Sequence, residues 1–165
     1  MKIKQFEYKP LSHYSYAIIS EGKMALVDPE RDPTQYYAFA EENDAQIVTV
    51  FETHPHADFV SSHLQIHEET GAKIYSSKKT GADYPHTTFD DDDTVKMGNI
   101  KFTAINTPGH SPDSITIQAT DGDNTALFTG DTLFIGDVGR PDLREKAGHL
   151  KAKREELAKM MFNTI

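Results

Sequence analysis

Three stretches near the start of the chain alternate polar and apolar positions with the period of two that a half-buried strand needs. They are Ile3 to Tyr8, Tyr14 to Ile19 and Met24 to Val27. Glu21-Gly22-Lys23 predicts a hairpin turn between the last two. Asp32 suits a helix N-cap, Pro33 the first helical position and Gln35 the far side of a capping box. A helix of about three turns is therefore expected to end near Asn43, with Tyr36, Tyr37 and Ala40 on one side. Gln46 to Phe51 is nearly all apolar, as a strand buried on both faces would be. Phe59 to Thr70 has helical character and stops at Gly71, and Ala72 to Tyr75 returns to strand.

Asn99 to Asn106 reads as a strand, and Ser114–Thr120 with Thr125–Thr129 as a hairpin about the turn-rich Asp121-Gly-Asp-Asn124. Residues 77–93 read as a polar loop ending in four aspartates, 90–93, which lack the alternation of a calcium loop and suit a solvated turn. No element is predicted for 130–142. An amphipathic helix is expected over Leu150–Ile165, with Leu157, Ala158, Met161, Phe162 and Ile165 on one stripe. Helices and strands alternate with hairpins mixed in, which predicts an α/β (α+β) fold of two sheets with helices outside.

Composition narrows the classes. The chain of 165 residues is expected to form one domain, 1–165, and its 37 % apolar and 10 % aromatic content supports a packed core. A formal charge of −9 argues against nucleic acid or an anionic membrane as partner. No run is long and apolar enough to span a bilayer, and the first residues lack the apolar stretch of a secretory signal. The absence of cysteine excludes disulfides, thiolate metal sites and a cysteine nucleophile within these residues. A cytoplasmic location is the expectation.

Eight histidines then change the picture, because of where they fall. Thr53-His-Pro-His-Ala-Asp58 follows the buried strand, Thr107-Pro-Gly-His110 follows another, and Thr129-Gly-Asp131 follows a third. Each cluster alone has an ordinary reading as a turn or surface loop. Together they place imidazoles and carboxylates at three strand ends, the donor types that zinc, iron and manganese accept. His63 and His67, four apart on a predicted helix, lack a matching strand-end carboxylate and are set aside as ligands. Asp28 and Arg31 in Asp-Pro-Glu-Arg are given supporting roles.

These strings resemble the successive signatures of the metallo-β-lactamase superfamily, from about residue 3 onward. The resemblance implies an αββα sandwich with metal at the strand ends. Within it, His56-Ala-Asp-Phe59 followed by Gly136-Asp-Val-Gly-Arg-Pro-Asp-Leu143 is similar to the persulfide dioxygenases, whose bacterial forms are often fused to rhodanese domains. What that implies is one Fe(II) per chain, with zinc as the alternative, held by His54, His110 and Asp131. His56 and Asp58 would orient ligands or bound water, and Arg140 would hold the carboxylate of a thiol such as glutathione. A local salt bridge is an equal reading of Arg140. Phe59 stands where two-metal hydrolases of the superfamily have a further histidine, so the second site is expected to be lost.

The expected reaction is oxidation of a low-molecular-weight thiol persulfide to sulfite, with O₂ as co-substrate. A homo-oligomer is left open. The alternative is a glyoxalase II-like zinc hydrolase of a thioester such as S-lactoylglutathione, and a third reading is an inactive metal-binding fragment. Domains of the superfamily usually run on through further strands, so the resemblance also implies that the C-terminal part of the sandwich is missing.

Overall fold

The computed structural model describes residues 1–142 and 154–165. Its first sheet holds six strands in sequence order: β1 (Lys2–Tyr8), β2 (His13–Ser20), β3 (Lys23–Val27), β4 (Gln46–Phe51), β5 (Lys73–Ser76) and β6 (Thr87–Thr88). The first three are antiparallel and β3 through β6 are parallel. The β2–β3 turn puts both Glu21 and Gly22 at positive φ, 52° and 66°, the backbone that matches the twist of a two-residue hairpin. The parallel strands require crossovers, supplied on one face by α1 (Thr34–Glu42) and α2 (His63–Thr70).

Helix α1 starts one residue later than expected, with Pro33 at the N-cap position, and Asp32 before it accepts the Thr34 N–H at 3.0 Å. The expected capping box does not form, because the Gln35 amide reaches the Glu30 carboxylate instead. Helix α2 begins four residues later than expected. Ser61, just upstream, donates its hydroxyl to the buried Glu52 carboxylate at 2.7 Å and keeps 59–62 as a loop. Gly71 ends α2 in the left-handed region at φ 75°, its N–H returning to the His67 carbonyl.

A second, antiparallel sheet runs in the order β10-β9-β8-β7, from β7 (Thr94–Met97), β8 (Ile100–Asn106), β9 (Ile115–Asp121) and β10 (Asn124–Phe128). Strand β7 falls in a stretch to which the residue pattern assigned nothing. The aspartates before it form a bonded turn rather than a merely solvated one. Asp90 accepts from Ser77 Oγ and the Lys78 N–H, Asp91 from the Asn106 N–H and Asp93 from the Asp90 N–H.

Two apolar layers follow from the alternation along the central strands. Ala25, Val27 and Phe51 face the second sheet and meet Phe102, Ile115, Ile117 and Phe128; Met24, Leu26 and Val50 face α1 and α2 and meet Tyr36, Ala40 and Ile66. In β4 the phase is reset by an irregularity: Met24 pairs with Ile47 but Ala25 with Thr49, leaving Val48 extra. That shift lets Ile47 and Val50, three apart, both face the helices while Phe51 faces the other sheet. The two sheets with outer helices are the αββα arrangement expected.

A short hairpin of β11 (Leu133–Phe134) and β12 (Asp137–Val138) follows β10, and α3 (Arg154–Thr164) lies farther on. The start of that helix expected at 150–153 lies outside the described residues. Of the predicted stripe, Leu157 and Met161 are buried, whereas Ala158 is exposed, as are Phe162 at 85 % and Ile165 at 65 %.

Candidate metal centre

The strand ends that matter all open on one edge of the sandwich: β3 delivers Asp28, β4 the histidine string, β8 the Thr107–His110 turn and β10 Gly130-Asp131. Hydrogen bonds tie these loops to one another. Ile115 N–H donates to the Thr53 carbonyl at 2.8 Å, Thr132 Oγ1 lies 3.1 Å from Thr107 Oγ1, and Gly139 N–H donates to the Thr132 carbonyl at 3.2 Å.

His54, His110 and Asp131 converge, each offering one ligand atom within 4.8 Å of the others. Asp131 Oδ2 lies 3.9 Å from His54 Nε2 and 3.6 Å from His110 Nε2. Ligand atoms each about 2.1 Å from one ion stand about 3.0–3.6 Å apart, so the set is close to that spacing. The outward nitrogens are held as well. His110 Nδ1 lies 3.0 Å from the Arg140 carbonyl, which can only accept, so that nitrogen carries the proton and Nε2 keeps its lone pair. Thr53 Oγ1 donates to Asp28 Oδ2 at 2.6 Å and therefore accepts from His54 Nδ1 at 3.0 Å, which puts the proton on Nδ1 and the lone pair on Nε2, the nitrogen toward Asp131. Both imidazoles are buried while the Asp131 side chain is 49 % exposed, so the group opens to one side.

His56 belongs to a neighbouring group. Its Nε2 is 3.3 Å from Asp28 Oδ1 and 3.6 Å from Glu52 Oε2, in a second buried cluster of Asp28, Glu52 and His56. Burial alone would lower the His56 pKa, but the Asp28 carboxylate and then Glu52 outweigh it and push it up to about 9. Burial likewise opposes ionisation of Asp28, yet the charge of His56 holds that carboxyl below its ordinary value. Asp28 sits at a positive φ of 49°, unusual for a non-glycine residue, and takes both the N–H (2.7 Å) and the hydroxyl of Thr53.

Phe59 packs its ring 4.4 Å from the rings of both His56 and His13, centroid to centroid. Asp58 is exposed and lies in neither group, so the orienting role expected of it has no contact to support it. Arg140 is bound by both oxygens of Asp142 at 2.8 Å, the local salt bridge; its backbone carbonyl is what touches the site. Leu143, last residue of the diagnostic string, lies outside the described residues. His63 Nδ1 is 3.4 Å from Glu52 and His67 Nδ1 2.8 Å from the Ala72 carbonyl, neither in the triad.

Residue patterns missed Glu52, Thr53, His13 and two glycines. A Cβ at Gly139 would overlap the Asp131 carbonyl oxygen and come within 3.0 Å of His110 Cβ; one at Gly130 would overlap Thr53 Oγ1. The glycines of Thr-Gly-Asp and Gly-Arg-Pro-Asp are thus close-approach positions that let the loops meet. The available signal was their place beside proposed ligands.

A two-sheet sandwich with helices outside and a histidine–carboxylate group at its strand ends defines a class of metal-dependent enzyme folds. The chain belongs to the metallo-β-lactamase superfamily, whose family model matches residues 8–162. A metallo-β-lactamase from Staphylococcus aureus subsp. aureus COL superposes with a TM-score of 0.87 at 37 % identity, over 99 % of this chain and 51 % of that one. ETHE1 from Myxococcus xanthus gives 0.80 at 25 % identity over 99 % and 91 %. Among curated proteins, the cytoplasmic hydroxyacylglutathione hydrolase of Arabidopsis thaliana is 34 % identical over 134 residues, 78 % of this chain and 52 % of that protein. The chain spans about half the length of the first such relatives. The superfamily is enzymatic, and the first such curated relatives are named as hydrolases. Among the described residues no helix is long and apolar enough to cross a membrane.

Proposed function

We propose that the protein is a one-metal oxygenase that oxidises a low-molecular-weight persulfide, R–S–SH + O₂ + H₂O giving R–SH and sulfite with two protons. The observation that carries this reading is the donor set of His54, His110 and Asp131, which converge; by the resemblance, Phe59 stands where two-metal members of the superfamily have a further histidine. A ferrous ion held by two histidines and one carboxylate supplies redox chemistry with open coordination positions. The chain's own residues prepare that set. Thr53 and the Arg140 carbonyl hold the two Nδ1 protons, so both Nε2 lone pairs face Asp131. The hydrogen-bonded Asp28 fixes Thr53 in turn. His56, ion-paired with Asp28 and Glu52, stands beside His54 at a 4.4 Å ring separation and supplies a positive charge next to the site. The likeness to ETHE1, a persulfide dioxygenase, supports the reading.

The second reading is hydrolysis of a thioester, favoured by the names of the curated relatives, which are hydroxyacylglutathione hydrolases in Arabidopsis, Idiomarina loihiensis and elsewhere; those sequence comparisons weigh more for it than for the oxygenase. Both reactions act on a sulfur borne by a small thiol carrier. The cytoplasm, named for the Arabidopsis protein, is the proposed location.

The deciding experiment loads the protein with Fe(II) or Zn(II) and offers two substrates in parallel. Persulfides of several small thiols are followed by oxygen uptake and sulfite release, and a hydroxyacylglutathione by thioester loss. Oxygen uptake with iron and one metal per chain supports oxidation. Thioester turnover with zinc, two metals per chain and no oxygen uptake overturns it in favour of hydrolysis.

A further inference from the structure

His56 follows the ligand His54 by two positions and packs its ring 4.4 Å from that of His54, centroid to centroid, yet it falls outside the converging triad. An imidazole so close to a ligand competes for the same ion unless its nitrogen is engaged elsewhere. The His56 Nε2 is engaged by two carboxylates, 3.3 Å from Asp28 Oδ1 and 3.6 Å from Glu52 Oε2. Neither contact is an aligned hydrogen bond, so the two carboxylates hold the ring jointly rather than one of them fixing it by direction.

The two carboxylates are not equivalent. Asp28 already accepts from Thr53 through both oxygens, the N–H at 2.7 Å and the hydroxyl at 2.6 Å, and through Thr53 it serves His54. Glu52 divides its oxygens instead. Its Oε1 accepts from Ser61 Oγ at 2.7 Å and lies 3.4 Å from His63 Nδ1, while Oε2 is the oxygen toward His56. The Glu52 N–H donates to the Tyr75 carbonyl at 3.0 Å, which ties the residue to β5. At 5 % exposure the side chain cannot turn to solvent, and a buried carboxylate persists only where partners offset its lost hydration. Phe59, at a ring separation of 4.4 Å, packs against the same imidazole.

The number of donors sets what the ion can do. An octahedral ion held by two histidines and one carboxylate keeps a face open, and a third imidazole would take one of those positions. Resting on the one-metal reading above, we infer that Glu52 is a positioning residue: it draws His56 onto the buried carboxylates, keeps the ion to His54, His110 and Asp131, and so preserves a coordination position for substrate or O₂. Glu52 acts through His56 and itself meets no substrate.

The test counts imidazoles on the metal without any substrate, so its outcome stands apart from the turnover assay. The full chain is loaded with substoichiometric Co(II); X-ray absorption counts the histidine donors, and the visible bands report the coordination number. The unaltered chain is expected to show the two imidazoles of the triad. Glu52→Gln keeps the side-chain length and an oxygen for Ser61 but removes the charge, and should show a third imidazole with shifted Co(II) bands. Glu52→Leu, which removes the charge with an apolar side chain suited to a buried place, should do the same if Glu52→Gln fails to fold. Adding His56→Ala to either variant should restore the original count and bands, which a general loosening of the site would not do. A third imidazole in the unaltered chain, no change in both Glu52 variants, or a third imidazole that persists without His56 would overturn the inference.

Discussion

Thr53 joins three parts of the site at once. Its N–H and hydroxyl both donate to Asp28, and the same hydroxyl takes the Nδ1 proton of His54. Replacing it with alanine leaves a buried carboxylate oxygen and an imidazole N–H without their partner. Thr53→Ala is expected to weaken metal binding by about 10–100-fold and to cost about 1–3 kcal/mol of stability. Competition with a chelator and thermal unfolding check the two effects, and Thr53→Ser, which keeps the hydroxyl, should recover most of the affinity. Gly139 acts through space rather than bonding. Gly139→Ala drives a methyl into the Asp131 carbonyl and against His110, so bound metal should be lost. Gly122→Ala, in an open turn with no heavy atom near the added carbon, is the control: a small loss of stability and full metal content. Retention of metal in Gly139→Ala would show that the Asp131 loop can yield.

At the scale of elements, α1 is held by more than its apolar face. Tyr36 is fully buried, meets Phe6 edge-on at 5.1 Å, and bridges the sheet to the Asp28–Glu30 loop through Ser15 Oγ at 2.7 Å and the Glu30 N–H at 2.8 Å. Burial pushes its hydroxyl up to about 12. Tyr36→Phe keeps the ring and strands Ser15 and the Glu30 N–H, for an expected loss of about 1–3 kcal/mol by denaturant unfolding, with metal content retained. The long strands and α1 were legible because their burial is periodic: one face of β3 meets the helices and the other the second sheet. Strands β6 and β7 and the β11–β12 hairpin were not. At two to four residues they carry too few positions for a period; β6 and β7 are stabilised by pairing with β5 and β8, and β11 and β12 by pairing with each other. The residue pattern starts helix α2 four residues early because Phe59–Ser62 continues its periodicity; a tertiary bond from Ser61 to Glu52 decides otherwise.

For the whole molecule, a preformed donor set means that metal stabilises the fold by mass action. At a free metal concentration 100 times the dissociation constant the gain is about 2.7 kcal/mol, and for a chain of this size that is about 5–10 °C in Tm. Scanning calorimetry with and without Zn(II), and with Fe(II) under anaerobic conditions, measures it. His110→Ala should remove the shift; an unchanged shift in that variant would place the ion elsewhere, with the Asp28–Glu52–His56 group as the next candidate.

The residue pattern alone determined that there are two sheets, where their central strands lie, and that His54, His110 and Asp131 stand at strand ends, because alternation and turn residues are local properties of the chain. It could not separate His56 from the triad or Asp58 from the site, since both sit in the same six-residue string as His54. Only the tertiary structure shows which groups each of them meets. Asp28 and Glu52, arriving from two different strands, draw His56 into a buried ion-paired group, and the same folding leaves Asp58 facing solvent. Which nitrogen of a histidine is free, and whether an arginine is already paired, depend on contacts between residues far apart in sequence, such as His110 with the carbonyl of Arg140.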